Sequence, residues 1–142
     1  MAVATPYSGA NGKFRIRSSY ITANGDTAVG ASYGDLSGCQ LTLDAGTWFV
    51  SGTANYLNSA VVVRVILTKL YNVTDTADLI GESLELAANG FSGVSTLQVV
   101  TTLSSTKVIR MAAKCTASSS VTARQYSEGT IPSTGIIAIK VG

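Results

Sequence analysis

Apolar and polar positions alternate most clearly within residues 36–57, LSGCQLTLDAGTWFVSGTANYL. We predict two strands here, CQLTL and TWFVSGTANYL, joined as a hairpin by a tight turn at Asp44-Ala45-Gly46. A period of two is typical of a strand with one buried face. The positions of the second strand that should face a core are Trp48, Val50, Gly52, Ala54 and Tyr56. The pattern therefore predicts a β protein organised around its only tryptophan.

Similar segments, separated by turn residues, follow along the chain. Residues 60–73, AVVVRVILTKLYNV, are largely apolar on both faces, which predicts a strand in the middle of a sheet. Residues 133–142 are predicted to be a central strand for the same reason. Residues 95–105 and 106–117 follow one another closely enough to form a second hairpin. Because no stretch shows helical periodicity, we predict an all-β, two-sheet antiparallel jelly-roll sandwich of about eight to ten strands.

The start of the chain differs in composition from the rest. Residues 1–12 are small and polar, and we predict an extended arm ahead of one jelly-roll domain, residues 13–142. In the first predicted strand, residues 13–21, Phe14 and Ile16 alternate with basic residues. The two apolar side chains of this strand should therefore face the core.

Composition narrows the range of partners. Charged residues make up only 13% of the chain, against roughly a quarter in ordinary soluble domains, so we expect part of the surface to be covered in an assembly rather than belong to a tightly packed monomer. A net charge of +2 is too small to indicate a nucleic-acid or anionic membrane partner. The apolar runs are too short to span a membrane, and the first residues lack the pattern of a secretory signal.

Candidate chemistry is sparse. The chain has no histidine, which excludes Ser-His and Cys-His nucleophile pairs, and it has no phosphate-binding glycine motif. Asp75 and Asp78 fall in a predicted turn, where a structural role is commoner than a calcium site. Glu82 and Glu85 should point to opposite faces of a strand, so they cannot form a glycosidase pair. We predict no enzyme, no cofactor and no metal.

Cys39 and Cys115 are the only cysteines. Both fall within predicted strands, and neither belongs to a C-x-x-C motif. We predict two buried free thiols, and a disulfide stays open should the two strands be neighbours.

The order of these segments resembles a known family. GCQLTL, DAG and TWFVSGTANY, with TGIIAIKV at the end, resemble the tumour-necrosis-factor-like jelly roll, and more closely the globular head of complement. The resemblance covers roughly residues 13–142 and is one of spacing. We expect no collagen-like leader, coiled coil or export signal, in which the chain differs from the animal members of the family. It is similar instead to phage and prophage members, which carry motifs of the type AGTWxVSGxA and xxLYNVTD.

This resemblance implies a homotrimer about a threefold axis. We expect a phage structural virion protein, assembled in the host cytoplasm, that decorates and stabilises the capsid surface by binding the major capsid protein. We expect residues 1–12 to be the whole leader, too short for a fibre shaft, and this expectation favours the capsid position. The alternative is a trimeric tail-fibre tip that recognises a host glycan or protein through residues 87–93. Candidate trimer-interface residues are Tyr56, Arg64 and Tyr126, and candidate residues of the docking arm are Ala4, Pro6 and Tyr7.

Overall fold

The computed structural model describes residues 2–3, 15–20, 26–116, 120–124 and 134–142. Every regular element in these ranges is a strand, which confirms the all-β prediction. The strands are β1 Ala2–Val3, β2 Ile16–Tyr20, β3 Thr27–Val29, β4 Gly34–Leu43, β5 Gly46–Asn58, β6 Arg64–Asn72, β7 Ala77–Leu86, β8 Phe91–Leu103, β9 Lys107–Cys115, β10 Val121–Ala123 and β11 Gly135–Lys140.

The strands form two antiparallel sheets. The large sheet has the order β1-β2-β11-β5-β10-β3, with β8 also paired to β5. β8 pairs with β5 along one edge. Along the other edge, β11 pairs with residues 48–53 of β5 and β10 pairs with residues 56–58. The small sheet has the order β4-β9-β6-β7. The two sheets enclose the core between them, so the fold is the predicted jelly-roll sandwich.

The long strand β5 contributes the centre of the core, as its alternation predicts. Trp48, Val50 and Tyr56 are buried, and the residues between them are half-buried. The Trp48 indole Nε1 donates to the carbonyl oxygen of Asp44 at 2.9 Å, which satisfies its one polar atom. At Gly52 the small sheet comes close, since a Cβ there would lie 2.9 Å from Met111 Sδ. The glycine in the alternating pattern therefore allows the two sheets to approach.

Both predicted hairpins are wrong in their pairing, although their strands exist. β4 lies in the small sheet and β5 in the large one, so the turn at Asp44 crosses the sandwich. β8 and β9 are likewise in different sheets. The physical reason is that each of these strands has one apolar face, and two such faces can be buried against each other across the core as well as side by side. Local turn residues do not distinguish these arrangements.

The predicted strand over residues 60–73 begins later in the structure. Residues 60–63 form an exposed loop, and β6 starts at Arg64. β6 pairs with β7 on one side and β9 on the other, so its central position is confirmed. β11 is also central, between β2 and β5, as predicted.

Ile16, in the described part of the first predicted strand, faces the opposite way from our prediction, and Phe14 lies outside the described residues. Ile16 of β2 pairs with Ile139 and lies on the outer side of the large sheet, while Arg17 pairs with the buried Ala138. Three charged groups meet near the adjoining turn: the Asp44 carboxylate accepts from Arg15 Nη1 at 3.3 Å and Lys140 Nζ at 2.8 Å. Arg15 thus pairs with Asp44 at the rim of the sandwich, Arg17 is half-buried, and Ile16 is left on the outer side.

Cys39 and Cys115 are buried and are not joined by a disulfide, as predicted. Of the predicted arm, the structure describes only Ala2–Val3, which pairs with β2 at the edge of the large sheet. Across the described ranges, no helix has the length and apolar character needed to cross a membrane.

Candidate interaction surface

The outer side of the large sheet is built from alternate residues of adjacent strands. Odd-numbered residues of β5 point away from the core, and the register places even-numbered residues of β8 beside them. Thr47 Oγ1 and Thr102 Oγ1, for example, lie 3.0 Å apart across the two strands. We define the charge-free face as the odd-numbered residues 47–55, the even-numbered residues 94–102, and Ile16, Ile137 and Ile139. Every member of this set is uncharged.

An apolar row crosses the charge-free face. Ile16 pairs with Ile139, Ile139 with Phe49, and Phe49 with Val100. With strands about 4.8 Å apart, the row extends over roughly 14 Å. Val100 is 62% exposed and Ile16 37% exposed, so water reaches this row in a single chain. The side chains that flank this row on β5, β8 and β11 are uncharged: Thr47, Ser51, Gln98, Thr102 and Ile137.

The outer side of the small sheet has the opposite composition. Arg110 Nη1 donates to Asp35 Oδ2 at 2.6 Å, and the Tyr71 hydroxyl donates to the other oxygen of the same carboxylate. Burial raises the pKa of the Tyr71 hydroxyl, and the bond to Asp35 raises it further by a smaller amount. Arg110 Nε also donates to Gln40 Oε1. We call this surface, built from Asp35, Gln40, Lys69, Tyr71, Arg110 and Lys114, the charged face.

Aromatic rings and ammonium groups continue the charged face. Lys69 Nζ lies 4.4 Å from the centre of the Tyr33 ring, and Lys114 Nζ lies 4.8 Å from it. Lys69 also forms an ion pair of 2.7 Å with Asp78. These cations are already partnered, by ring faces and by a carboxylate. The charged face therefore presents groups that are satisfied within one chain and solvated.

Tyr56 does not lie on a surface. Its side chain is 0% exposed, and its hydroxyl lies 2.7 Å from Thr68 Oγ1, which in turn donates to Ser95 Oγ at 3.4 Å. This chain of hydroxyls joins the small sheet to the large one within the core. Burial raises the pKa of the Tyr56 hydroxyl, with the bond to Thr68 acting in the opposite direction. The side chain is unavailable to a second copy of the chain, so we remove Tyr56 from the interface prediction.

The other predicted interface and arm residues divide into two groups. Arg64 is half-buried at the start of β6, where its Nε donates to Ser120 Oγ at 3.3 Å. This contact lies within one chain, whereas we expected a carboxylate or a neighbouring subunit. The remaining predicted residues lie outside the described residues: Tyr126, Ala4, Pro6 and Tyr7.

The carboxylates considered for a metal have structural partners. Asp75 accepts from Asn72 Nδ2 at 2.8 Å and from Lys107 Nζ, and these bonds hold the turn between β6 and β7. Asp78 is paired with Lys69. Within the part of the chain that the structure describes, no three potential metal ligands of the His, Cys, Asp or Glu type cluster together.

Sequence reasoning missed the residues that form the charge-free face. Val100 was assigned to a strand, but its side was not, and Ile16 was assigned to the core. The available signal was the absence of charge: residues 86–105 contain no Asp, Glu, Lys or Arg. An edge strand with one side in water normally carries such residues.

No protein-family model and no curated protein matches the sequence. In fold, the chain is similar to a chain of the T13 IBDV viral particle, with a TM-score of 0.54 and 13% identity over 90% of this chain and 35% of that one. A chain of the infectious bursal disease virus Gt strain gives a TM-score of 0.50 and 14% identity over 90% of this chain and 38% of that one. Eiger TNF from S. frugiperda gives 0.48 and 11% identity over 82% and 94%. This chain therefore matches only part of each viral chain, and the likeness to these is one of fold.

Proposed function

We propose that this protein is a phage structural virion protein, a homotrimer that binds the outside of the capsid and stabilises it. The fold supports a viral role, since chains of two viral-particle structures share it. The composition supports an assembled state, because a chain with 13% charged residues has few groups to keep all of its surface in water.

The observation that carries the proposal is the charge-free face. Contiguous exposed apolar patches on soluble proteins mark sites of association. Here the row from Ile16 to Val100 is flanked by uncharged side chains on β5, β8 and β11, so a second copy can cover it without burying an unpaired charge there. Interfaces between identical chains are more apolar than the rest of a protein surface, and this face has that character.

A closed ring of three copies fits the proposed position. Trimers match the threefold positions of an icosahedral shell, so each contact with the shell is made three times. Simultaneous contacts raise the overall affinity well above that of one contact. A trimer that binds the assembled shell and not its free subunits stabilises the shell by mass action.

Two measurements on the purified protein test the proposal. Size-exclusion chromatography with light scattering should give three times the mass of the chain at micromolar concentration. Added to capsids that lack it, the protein should co-sediment with them and raise their melting temperature. A monomer in the first measurement would refute the trimer. Capsids that neither bind the protein nor become more stable in its presence would refute the capsid role.

A receptor-binding tip is the second candidate. It is favoured by Phe91, an exposed aromatic residue that follows the loop of residues 87–90. Fluorescently labelled protein should then adsorb to host cells, and it should leave capsids unbound. Adsorption assays on the same preparation therefore separate the two candidates.

A further inference from the structure

The strand at one edge of the large sheet, β8, lacks the features that normally protect an edge. Residues 91–103 contain no Pro, Asp, Glu, Lys or Arg, and all of them pair with β5 without a register shift. Within the described ranges, β8 pairs with no strand other than β5. Exposed edges are usually short, charged or bent, because their unpaired backbone groups can pair with another chain. We call the side of β8 that points away from β5 the free edge.

The other sheet edges carry the protection that β8 lacks. β1 and β3 have only two and three residues. β4 carries Asp35 and a register shift in its pairing with β9. β7 carries Asp78, Glu82 and Glu85, and its pairing with β6 is also shifted. Glu82 lies beside the buried Thr68, which makes it an inward-pointing charge on an edge strand. Among the described strands, β8 is therefore the exception.

The hydrogen bonds of β5 show which groups of β8 face the free edge. In an antiparallel pair, both backbone groups of a residue point to the same neighbouring strand, and successive residues alternate. The Asn55 amide donates to Thr134 Oγ1 at 3.0 Å, and the Asn55 carbonyl accepts from the Arg124 amide at 2.8 Å, both on the side away from β8. The even-numbered residues of β5 therefore bond the odd-numbered residues of β8. The N–H and C=O groups that point to the free edge belong to Ser92, Val94, Thr96, Gln98, Val100 and Thr102.

The free edge is complementary to itself. When two β8 strands are placed antiparallel and centred on Leu97, residue 94 of one lies opposite residue 100 of the other, and residue 96 opposite residue 98. Val94, 53% exposed, then contacts Val100, 62% exposed, at two symmetric places. Every even-numbered residue from 92 to 102 exchanges two hydrogen bonds with its opposite. Any other register that keeps the outer faces together shortens the paired segment.

We propose that the free edge of β8 binds β8 of a second copy of this chain, about a twofold axis at Leu97, so that two large sheets become one. This contact goes beyond the proposed function and needs neither the capsid nor the trimer. Side chains leave β8 perpendicular to the sheet, whereas the groups of the free edge lie in its plane, so the charge-free face and the free edge are separate contacts. A strand edge buries little surface, so we expect the contact at about 100 µM rather than at micromolar concentration.

A cysteine pair tests both the partner and the register. Val94→Cys and Val100→Cys proteins are oxidised briefly at about 100 µM, each alone and mixed, and separated on a non-reducing gel. Opposite residues of a hydrogen-bonded pair have Cα atoms about 5.5 Å apart, which a disulfide can join, so the mixture should give a cross-linked dimer. Each variant alone should give none, because its two cysteines would lie roughly 20 Å apart along the strands.

Two controls limit other sources of cross-linking. Val94→Cys mixed with Thr42→Cys measures random collisions, since Thr42 is exposed on β4 in the other sheet. The natural thiols, Cys39 and Cys115, are buried.

A proline separates an edge contact from a face contact. Gln98→Pro, added to both cysteine proteins, removes an N–H group that points to the free edge and leaves the bonds to β5 intact. The cross-linked yield should fall about tenfold or more, because the ring also blocks the approach of a second strand. Gln98→Val is the matched control: it changes the same side chain, keeps the N–H group and should retain the yield. Thermal melting confirms that both variants are folded.

The remaining outcomes are distinguishable. A mixture without cross-links would overturn the inference and leave the free edge to a different chain. Cross-links that persist in Gln98→Pro would also overturn it, since the valines would then meet across the charge-free faces. Cross-linking of Val100→Cys alone would overturn the register centred on Leu97. A protein that is monomeric at micromolar concentration and still cross-links as expected would support the edge contact and refute the trimer, so the two proposals fail separately.

Discussion

The two outer faces of this sandwich are built on the same strand geometry and have opposite chemistry. On the charged face, Arg110, Asp35 and Tyr71 bind one another, and two lysines lie against the ring of Tyr33. On the charge-free face, apolar side chains alternate with serine and threonine, and Val100 remains 62% exposed. The charged groups of the first face already have their partners within one chain. The second has apolar surface that only another molecule can cover.

This difference shows that exposure alone does not identify an interface. Both faces are partly exposed, and both include large side chains such as Tyr33 and Phe49. What separates them is whether the exposed groups already have partners in the same chain. Covering apolar side chains that face water is favourable by about 25 cal/mol per Å² of buried area. Burying a solvated ion pair contributes little favourable free energy and can be unfavourable.

The largest expected effect comes from placing a charge on the charge-free face. Val100→Glu leaves a single chain soluble and folded, because this side chain already faces water. In the proposed trimer, the same charge would be buried without a partner or would face its copies on the other chains. We expect the association to weaken by about a hundredfold or more, since like or unpaired charges in an interface cost several kcal/mol. Light scattering over a concentration series measures this change.

The control for this variant is Thr42→Glu. Thr42 is exposed on β4 of the small sheet, so the substitution adds the same charge to the other side of the sandwich. Its association should equal that of the unmodified protein. Equal weakening in both variants would mean that net charge, not the face, controls association, and the comparison drawn above would be wrong.

The second effect concerns Tyr56, which links the sheets that carry the two faces. Tyr56→Phe removes the hydroxyl that bonds Thr68 in the core. We expect a loss of about 1–2 kcal/mol in the free energy of unfolding, because a buried hydroxyl loses one partner. Denaturant titration measures this loss at constant chain concentration.

The same variant separates a core role from an interface role. With Tyr56 inside the core, the mass from light scattering should stay that of the trimer. Val50→Ala, a truncation in the same strand and also buried, is the matched control for a general loss of packing. A trimer that dissociates in Tyr56→Phe but not in Val50→Ala would return Tyr56 to the interface.

The strands were predictable from local pattern, and their partners were not. The alternation around Trp48 is a property of neighbouring residues, and the burial of β5 confirms it. Pairing across the sandwich depends on residues far apart in sequence, which is why local pattern predicts a hairpin at Asp44 where the chain instead passes from one sheet to the other. The side of β2 was misjudged for a related reason. Arg17 is half-buried and pairs with the buried Ala138 of β11, and a rule that directs charge outward does not include that neighbour.

The candidate site was harder to predict than the fold. Sequence reasoning looked for residues with distinctive chemistry, and it chose Tyr56 and Arg64. The structure places the first in the core and gives the second a partner within the chain. The surface that we propose for the interaction is instead made of ordinary residues such as Ile139 and Val100, which stand out only because they form a row across four strands.

A smaller effect is expected from the charged face. Asp35→Asn keeps the size of the side chain and removes the charge that Arg110 and Tyr71 bind. Because these groups are partly solvated, the loss in the free energy of unfolding should be about 1 kcal/mol or less. A double-mutant cycle with Arg110→Met measures the pair alone, and both variants should remain trimeric. A dissociated trimer in Asp35→Asn would show that the charged face also contacts another copy.

The smallest effect is the pH dependence of Asp44, at the rim between the two faces. Its bond to Lys140 holds the pKa of this carboxyl below its ordinary value of 3.8, against a smaller opposing effect of burial. The folded state therefore binds this proton more weakly than the unfolded chain does. The resulting stability is present above the unfolded pKa and is lost as the pH falls through the folded one.

Two quantities should consequently respond differently to acid. The difference in unfolding free energy between the unmodified protein and Asp44→Asn should be constant above about pH 5 and shrink toward pH 2, and it should stay below about 1 kcal/mol because the pair is partly exposed. Trimer association should stay constant from about pH 5 to pH 8, since the charge-free face has no titrating side chain and histidine is absent from the chain. Association that changes with pH in this range would place an ionisable group in the interface, and the contrast between the two faces would then need a different explanation.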